Sequence, residues 1–224
     1  MEQYLSILKN THFFQGMTEE EILSVLHCVS AATIQKKKGE FILRVGDSTE
    51  NMGLVLSGSV MCVQEDLWGH RNILERVGVG EYFAEPFAAT PGAVLNMSVV
   101  AMEDCCILQL NMGRLLKTCP TACAHHNKLI RNLVSVMAQK VLAQNKKITH
   151  IGKRSTRDKI LSYLFEESLH QGKLSFTIPY DRQQLADYLC VERAAMSVEL
   201  GKLQKEGYLK TNRNQFELFA KVGE

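Results

Sequence analysis

Residues 80–98 read GEYFAEPFAATPGAVLNMS. Two glycines and two glutamates sit among apolar residues, the make-up of a loop that wraps a small ligand. Its charge is one-sided. From Val77 to Gly113 the chain has no Lys or Arg, while Glu81, Glu85, Glu103 and Asp104 fall inside that stretch. Burying an anion there without a cation is expensive, so the composition favours a neutral or cationic ligand. The other reactive side chains are thinly spread. Seven cysteines, at 28, 62, 105, 106, 119, 123 and 190, are odd in number and irregular in spacing, which argues against a secreted disulfide framework. Cys105–Cys106 and Cys119-x-x-x-Cys123 are the close pairs, and core packing is the plainer role for them. His70 and His125–His126 are the candidate haem ligands, although capping or surface roles are commoner for such histidines. The strand-like region 32–112 holds one histidine, His70, so a metal-dependent roll enzyme lacks its ligands. No nucleophile elbow, Walker loop or HExxH is present. No enzyme activity, no metal site and no cofactor are expected.

A second group of residues suits nucleic acid. Residues 181–204 read DRQQLADYLCVERAAMSVELGKLQ. Leu185, Ala186 and Leu189 make one short apolar face; Val191, Met196, Leu200 and Leu203 make another, with a break near Cys190. Two short helices joined by a tight turn fit a helix-turn-helix. Its second helix would present Arg193, Ala194, Ser197 and Lys202 outward. EGYLKTNRNQFELF follows as strand, polar turn at 212–214, strand. That is a wing, with Lys210 and Arg213 placed to meet phosphates.

The elements that must position these groups can also be read. Thr18 with Glu21 forms a capping-box pattern ahead of a short helix. From about 32 to 112, short β-rich runs (TIQKKK, EFILRV, GLVLSGSVMCVQE, NILERV, MSVVAM, CCILQL) alternate with Gly-containing turns, which predicts an antiparallel sandwich or roll. Pro120 opens a long helix. Ile130, Val134, Met137, Val141, Gln144 and Ile148 recur at spacings of 4, 3, 4, 3, 4, a seam suited to pairing with a second copy. Ile151–Gly152 ends that helix, Ser155–Asp158 caps the next, and Gly172 closes it.

Charge divides along the same line. Residues 1–126 hold 9 Lys+Arg against 14 Asp+Glu; residues 127–224 hold 17 against 10. A basic back half is the footprint of a nucleic-acid partner. The N-terminus, MEQYLSILKN, has neither the basic start nor the apolar core of a signal peptide, and no apolar run approaches the roughly 20 residues of a span. A cytoplasmic chain without membrane contact is expected.

The order of these parts resembles the Crp/Fnr family of bacterial transcription regulators. The resemblance rests on GEFILRVGD (39–47), LVLSGSVMC (54–62), GEYFAEPF (80–87), the long helix, and LADYLCVERAAMSVELGKLQKEGYL (185–209). It implies an α+β chain: an N-terminal antiparallel jelly-roll effector domain of the cyclic-nucleotide-binding-like type over 1–118, a dimerisation helix over 119–150 and a winged helix-turn-helix over 151–224. It implies a homodimer on double-stranded DNA, an RNA polymerase partner and a small-molecule effector. By the resemblance Arg193 is a base reader suited to guanine O6 and N7, and Gln183 is a phosphate contact. Departures matter. Ala194 stands where many members carry a base-reading Glu, Val198 where an Arg is common, and Glu192 where Ser or Asp is frequent, so narrower base readout is expected.

For the effector, Glu85 matches the family's ribose-binding glutamate, Ala84 stands at a glycine position, and Leu95–Asn96 replace the phosphate-binding Arg-Ser pair. A cyclic nucleotide is therefore not expected. The pocket candidates are Phe83, Glu85, Phe87 and Asn96, with Gln144 and Asn145 on the long helix; Gln144 serves equally as a register-fixing seam residue. Two alternatives stay open: a haem or redox-sensing regulator of the same family, and a ligand-binding dimer with weakened DNA binding.

Overall fold

The computed structural model describes residues 2–117 and 124–219. They fall into two units, Met1–Val141 and Leu142–Glu224. The first opens with helices α1 (Leu5–Lys9) and α2 (Glu19–Cys28). The capping box at α2 is reciprocal: Thr18 Oγ1 accepts from Glu21 N at 3.2 Å, and Glu21 Oε2 accepts from Thr18 N at 2.8 Å.

Eight strands follow: β1 (Ala32–Lys36), β2 (Phe41–Leu43), β3 (Asn51–Ser57), β4 (Val60–Glu65), β5 (Arg71–Val77), β6 (Tyr82–Phe83), β7 (Ser98–Ala101) and β8 (Cys105–Asn111). They pair antiparallel in two sheets, β1-β8-β3-β6 and β2-β7-β4-β5. Between the sheets, Val55, Cys105 and Ile107 meet Val60, Cys62, Val77, Val99 and Ala101. The other side of the first sheet is buried too. Leu54, Leu56, Cys106, Leu108 and Leu110 pack on Phe13, Phe14, Ile22 and Leu26 of the N-terminal segment. A sheet covered on both faces explains why LVLS and CCIL read as unbroken apolar runs rather than as alternation.

Two glycines are required here. Gly58 carries the chain from one sheet to the other at φ +74°, and a Cβ there would lie 2.5 Å from the Asp104 carbonyl oxygen. A Cβ on Gly53 would lie 2.0 Å from the Phe83 ring.

Helices α3 (Glu85–Ala89) and α4 (Met112–Leu116) flank β7 and β8. The long helix α5 spans Ala124–Ile151; Pro120, its expected start, lies outside the described residues. Leu129, Leu133 and Val136 of α5 are buried against the first sheet. The neighbouring stripe is the expected seam: Val134 is 62% and Val141 56% exposed, while Ile130 and Met137 are half-buried.

The second unit carries α6 (Thr156–Gln171), β9 (Ser175–Thr177), α7 (Arg182–Leu189), α8 (Arg193–Lys205), β10 (Leu209–Asn212) and β11 (Gln215–Leu218). Gly172 in the left-handed region ends α6. Its sheet runs β10-β11-β9. Ile160, Leu164, Leu185, Leu189, Met196, Leu200, Leu203 and Phe216 form its buried interior. Gln144 and Ile148 of the seam are exposed in this unit. Among the described residues no helix is long and apolar enough to cross a membrane.

Candidate functional site

Residues 80–98 fold around α3. Ala84 adopts the left-handed conformation, φ 63°, immediately before Glu85. That backbone explains a glycine preference at this position, and alanine adopts it at a cost of about 1–2 kcal/mol. The turn drives Glu85 inward, where it is 1% exposed.

The Glu85 carboxylate meets a cation there. Lys140, on α5, lies 3.1 Å from Glu85 Oε1 and 3.1 Å from Oε2. Its ammonium also donates to Glu75 Oε1 at 3.0 Å and to the Tyr82 carbonyl at 2.6 Å. Three N–H donors meet three acceptors: Glu75 Oε1, Glu85 Oε2 and Tyr82 O. Glu85 Oε1 receives no hydrogen bond, although it faces the same charge. Burial works against the charged form of Lys140, but Glu85 and Glu75 outweigh it and raise the lysine above its ordinary value. Burial raises Glu75 above the usual carboxylate range, and Lys140 offsets part of that. Cys62 pairs with Glu75 across β4 and β5 and lies under the cluster. Burial pushes its thiol well above the ordinary range, so it is no ready nucleophile.

Lys140 and Glu75 are the residues that the sequence reading missed. The stretch without cations is real, but the cation comes from 55 residues further on. A signal existed. Leu129, Leu133, Val136 and Lys140 are spaced 4, 3, 4, a second stripe one position away from the exposed seam. A lysine at the end of a buried stripe points at the roll.

The remaining pocket candidates scatter. Phe83 is buried in the sandwich core, its ring against Gly53. Phe87 is half-buried at the edge of that core. Asn96 is exposed, its carbonyl accepting from Gln64 Nε2 at 3.1 Å, and Leu95 beside it is buried. Gln144 and Asn145 belong to the second unit and are exposed. The structure thus places only Glu85 of the six against a charged partner.

Metal and haem candidates do not converge among the described residues. No group of three or more His, Cys, Asp or Glu that could hold a metal is found there. His70 pairs with Asp66 at 2.8 Å and His125 with Glu21 at 3.0 Å. Cys105 and Cys106 are buried on opposite faces of β8. Cys119 and Cys123 lie outside the described residues.

The second site is the helix pair α7–α8. Asp181 and Gln184 cap α7 reciprocally. Cys190 ends it in the left-handed conformation at φ 52°. Met196, Leu200 and Leu203 anchor α8, and Arg157 holds its far end through Glu199 at 3.4 Å and Glu206 at 3.2 Å. The opposite face presents Arg193, Ala194, Ser197, Val198 and Lys202 to solvent. Ser197 Oγ donates back to the Arg193 carbonyl at 2.9 Å, and Lys202 pairs with Glu199 at 3.1 Å. Gln183 is exposed and donates to Asp187 at 2.8 Å. Glu192 precedes α8 without forming a side-chain cap, which a Ser or Asp would supply. β10 and β11 form the wing, with exposed Arg213 at its tip at φ 52°. β9 adds a third strand that the sequence reading did not identify.

Two family models match the sequence in this order: a cyclic nucleotide-binding domain over residues 33–121 and a Crp-like helix-turn-helix domain over 158–219. No curated protein matches it. Among solved structures, the chain is similar to the c-di-GMP-responsive global regulator CLP of Xanthomonas campestris, with a TM-score of 0.73 and 18% identity over 91% of this chain and 100% of that one. It is also similar to FixK2 of Bradyrhizobium japonicum (0.65, 19%, 85% and 93%) and to CprK complexed with OCPA (0.71, 16%, 88% and 91%). The roll with its buried glutamate, the exposed recognition face of α8 and the order of the two matched domains make this chain a member of the Crp/Fnr family of transcription regulators, non-enzymatic proteins that join an effector-binding domain to a DNA-binding helix-turn-helix.

Proposed function

We propose that the chain is a homodimeric, sequence-specific regulator whose effector is a small molecule other than a cyclic nucleotide, bound between the roll (1–118) and the long helix (119–150). The observation that carries the effector reading is the pairing of Glu85 with Lys140. A cyclic nucleotide needs a cation for its buried phosphate, and the cation at Glu85, Lys140, is engaged by two carboxylates and a carbonyl. The relatives themselves differ in ligand: CLP is c-di-GMP-responsive and CprK was solved with OCPA. Phe87, Asn96, Gln144 and Asn145 remain candidate contacts.

For DNA, the exposed face of α8 supports Arg193 as base reader, with Ser197 and Lys202 on the same helix and Gln183 and Arg213 as flanking phosphate contacts. Val134, Val141 and Ile148, exposed at seam spacing, support pairing of two copies. A dimer would set two recognition helices in successive major grooves, and RNA polymerase is the partner of such a bound dimer. The test is a salt-controlled titration of the protein's own upstream DNA, with calorimetry of cyclic AMP alongside. Arg193→Ala should weaken specific binding by about 1–3 kcal/mol. Submicromolar cyclic AMP binding sinks the effector reading. Ala194 and Val198, short and apolar on the reading face, favour a second reading, a ligand-binding dimer with weakened DNA affinity; absence of any gel shift would establish it.

A further inference from the structure

The acceptors around Lys140 Nζ have the make-up of a receptor for a primary ammonium. Such a group has three N–H donors and wants three acceptors and negative charge. Glu75 Oε1, Glu85 Oε2 and Tyr82 O supply the acceptors at 3.0, 3.1 and 2.6 Å. Two carboxylates supply the charge. Glu85, at 1% exposure, still has Oε1 without a hydrogen-bond donor. That oxygen faces the same ammonium at 3.1 Å and is held by charge alone.

The cradle belongs to the roll, whereas the cation belongs to α5. Glu75 lies on β5, Tyr82 on β6 and Glu85 on α3. Lys140 stands one turn past Val136, the last buried apolar residue of its stripe. The tethered ammonium therefore holds the long helix to the roll. Anions meet two carboxylates there. Neutral ligands cannot replace the lost charge.

We propose that the Glu75–Tyr82–Glu85 cradle is a primary-ammonium site, filled by Lys140 in the free protein, and that the small molecules able to enter it are primary amines. This rests on reading the Glu85 region as the control site. A competing amine would free Lys140 and release α5 at this point, which converts amine binding into a change of helix docking.

Chemical rescue in the full chain tests it. Lys140→Ala removes the atoms of one n-propylammonium ion, so that ion is the probe. The variant should melt below the unsubstituted protein. n-Propylammonium at roughly 100 times its dissociation constant should restore about 5–10 °C, saturably, while leaving the unsubstituted protein's melting temperature little changed. n-Propanol and tetramethylammonium should do neither. Equal shifts with and without the substitution, or equal rescue by n-propanol, overturns the proposal. If Lys140→Ala does not fold alone, refolding with each additive replaces melting. Recovery with n-propylammonium only supports the site, and recovery with none or with all overturns it. Melting reads the cradle without DNA. Missing operator binding by the unsubstituted protein therefore counts against the regulator reading alone, and failed rescue with intact operator binding counts against the site alone.

Discussion

Replacing Lys140 by methionine keeps most of the side-chain volume and deletes the charge. Glu85 is then a carboxylate at 1% exposure without its cation. At the observed 3.1 Å, opposite unit charges attract by about 5 kcal/mol at an effective dielectric of 20, and breaking a buried pair ordinarily costs about 3–5 kcal/mol. Protonation sets a ceiling on the loss. A carboxylate with an unfolded pKa of about 4.3 needs about 3.7 kcal/mol to be protonated at pH 7 and about 1 kcal/mol at pH 5. Lys140→Met should therefore lose about 3–4 kcal/mol at pH 7 and only about 1 kcal/mol at pH 5. The penalty shrinks as the pH falls, because protonation removes the buried charge that has lost its partner. Urea unfolding of both proteins at the two pH values measures it. Adding Glu85→Gln to the variant should recover most of the loss at pH 7. A penalty that is independent of pH, or below about 1 kcal/mol at pH 7, refutes the electrostatic account of the cluster.

Gly53→Ala puts a methyl 2.0 Å from the Phe83 ring in a closed core; a loss of about 1–3 kcal/mol is expected by denaturation. His150 is buried beside Ser162 Oγ at 2.8 Å and edge-on to Tyr163. Burial lowers its pKa, as do Lys146 and Lys153, while Glu166 acts in the opposite sense. Its contribution to the second unit is complete above about pH 6.5 and declines as pH falls toward the lowered value; His150→Gln should flatten that dependence in calorimetric melts. Val141→Glu places a charge on the exposed seam of α5 and should shift the proposed dimer to monomer in light scattering, with the melting temperature of the first unit little changed.

Much of the architecture is local information. Turn glycines, β-rich runs, the Thr18 cap and the two apolar faces around Cys190 each lie within a few residues of what they specify, so the roll, the long helix and the winged helix-turn-helix could be read directly. Short elements escaped: β6 has two residues and β9 three, too few for a period to show. Arg193 was legible as an exposed residue because α8 has its own buried stripe. The content of the candidate site around Glu85 was not. The sequence by itself determined that residues 77–113 carry acid without base, and that α5 repeats apolar residues at heptad spacing. Only the tertiary structure decided that two stripes run side by side on α5, one facing solvent and one facing the roll, and that the second ends in Lys140. Charge pairing depends on distance in space, not on separation along the chain. A carboxylate at position 85 and an ammonium at position 140 become a pair only when the sheet and the helix pack together, and no local window contains both.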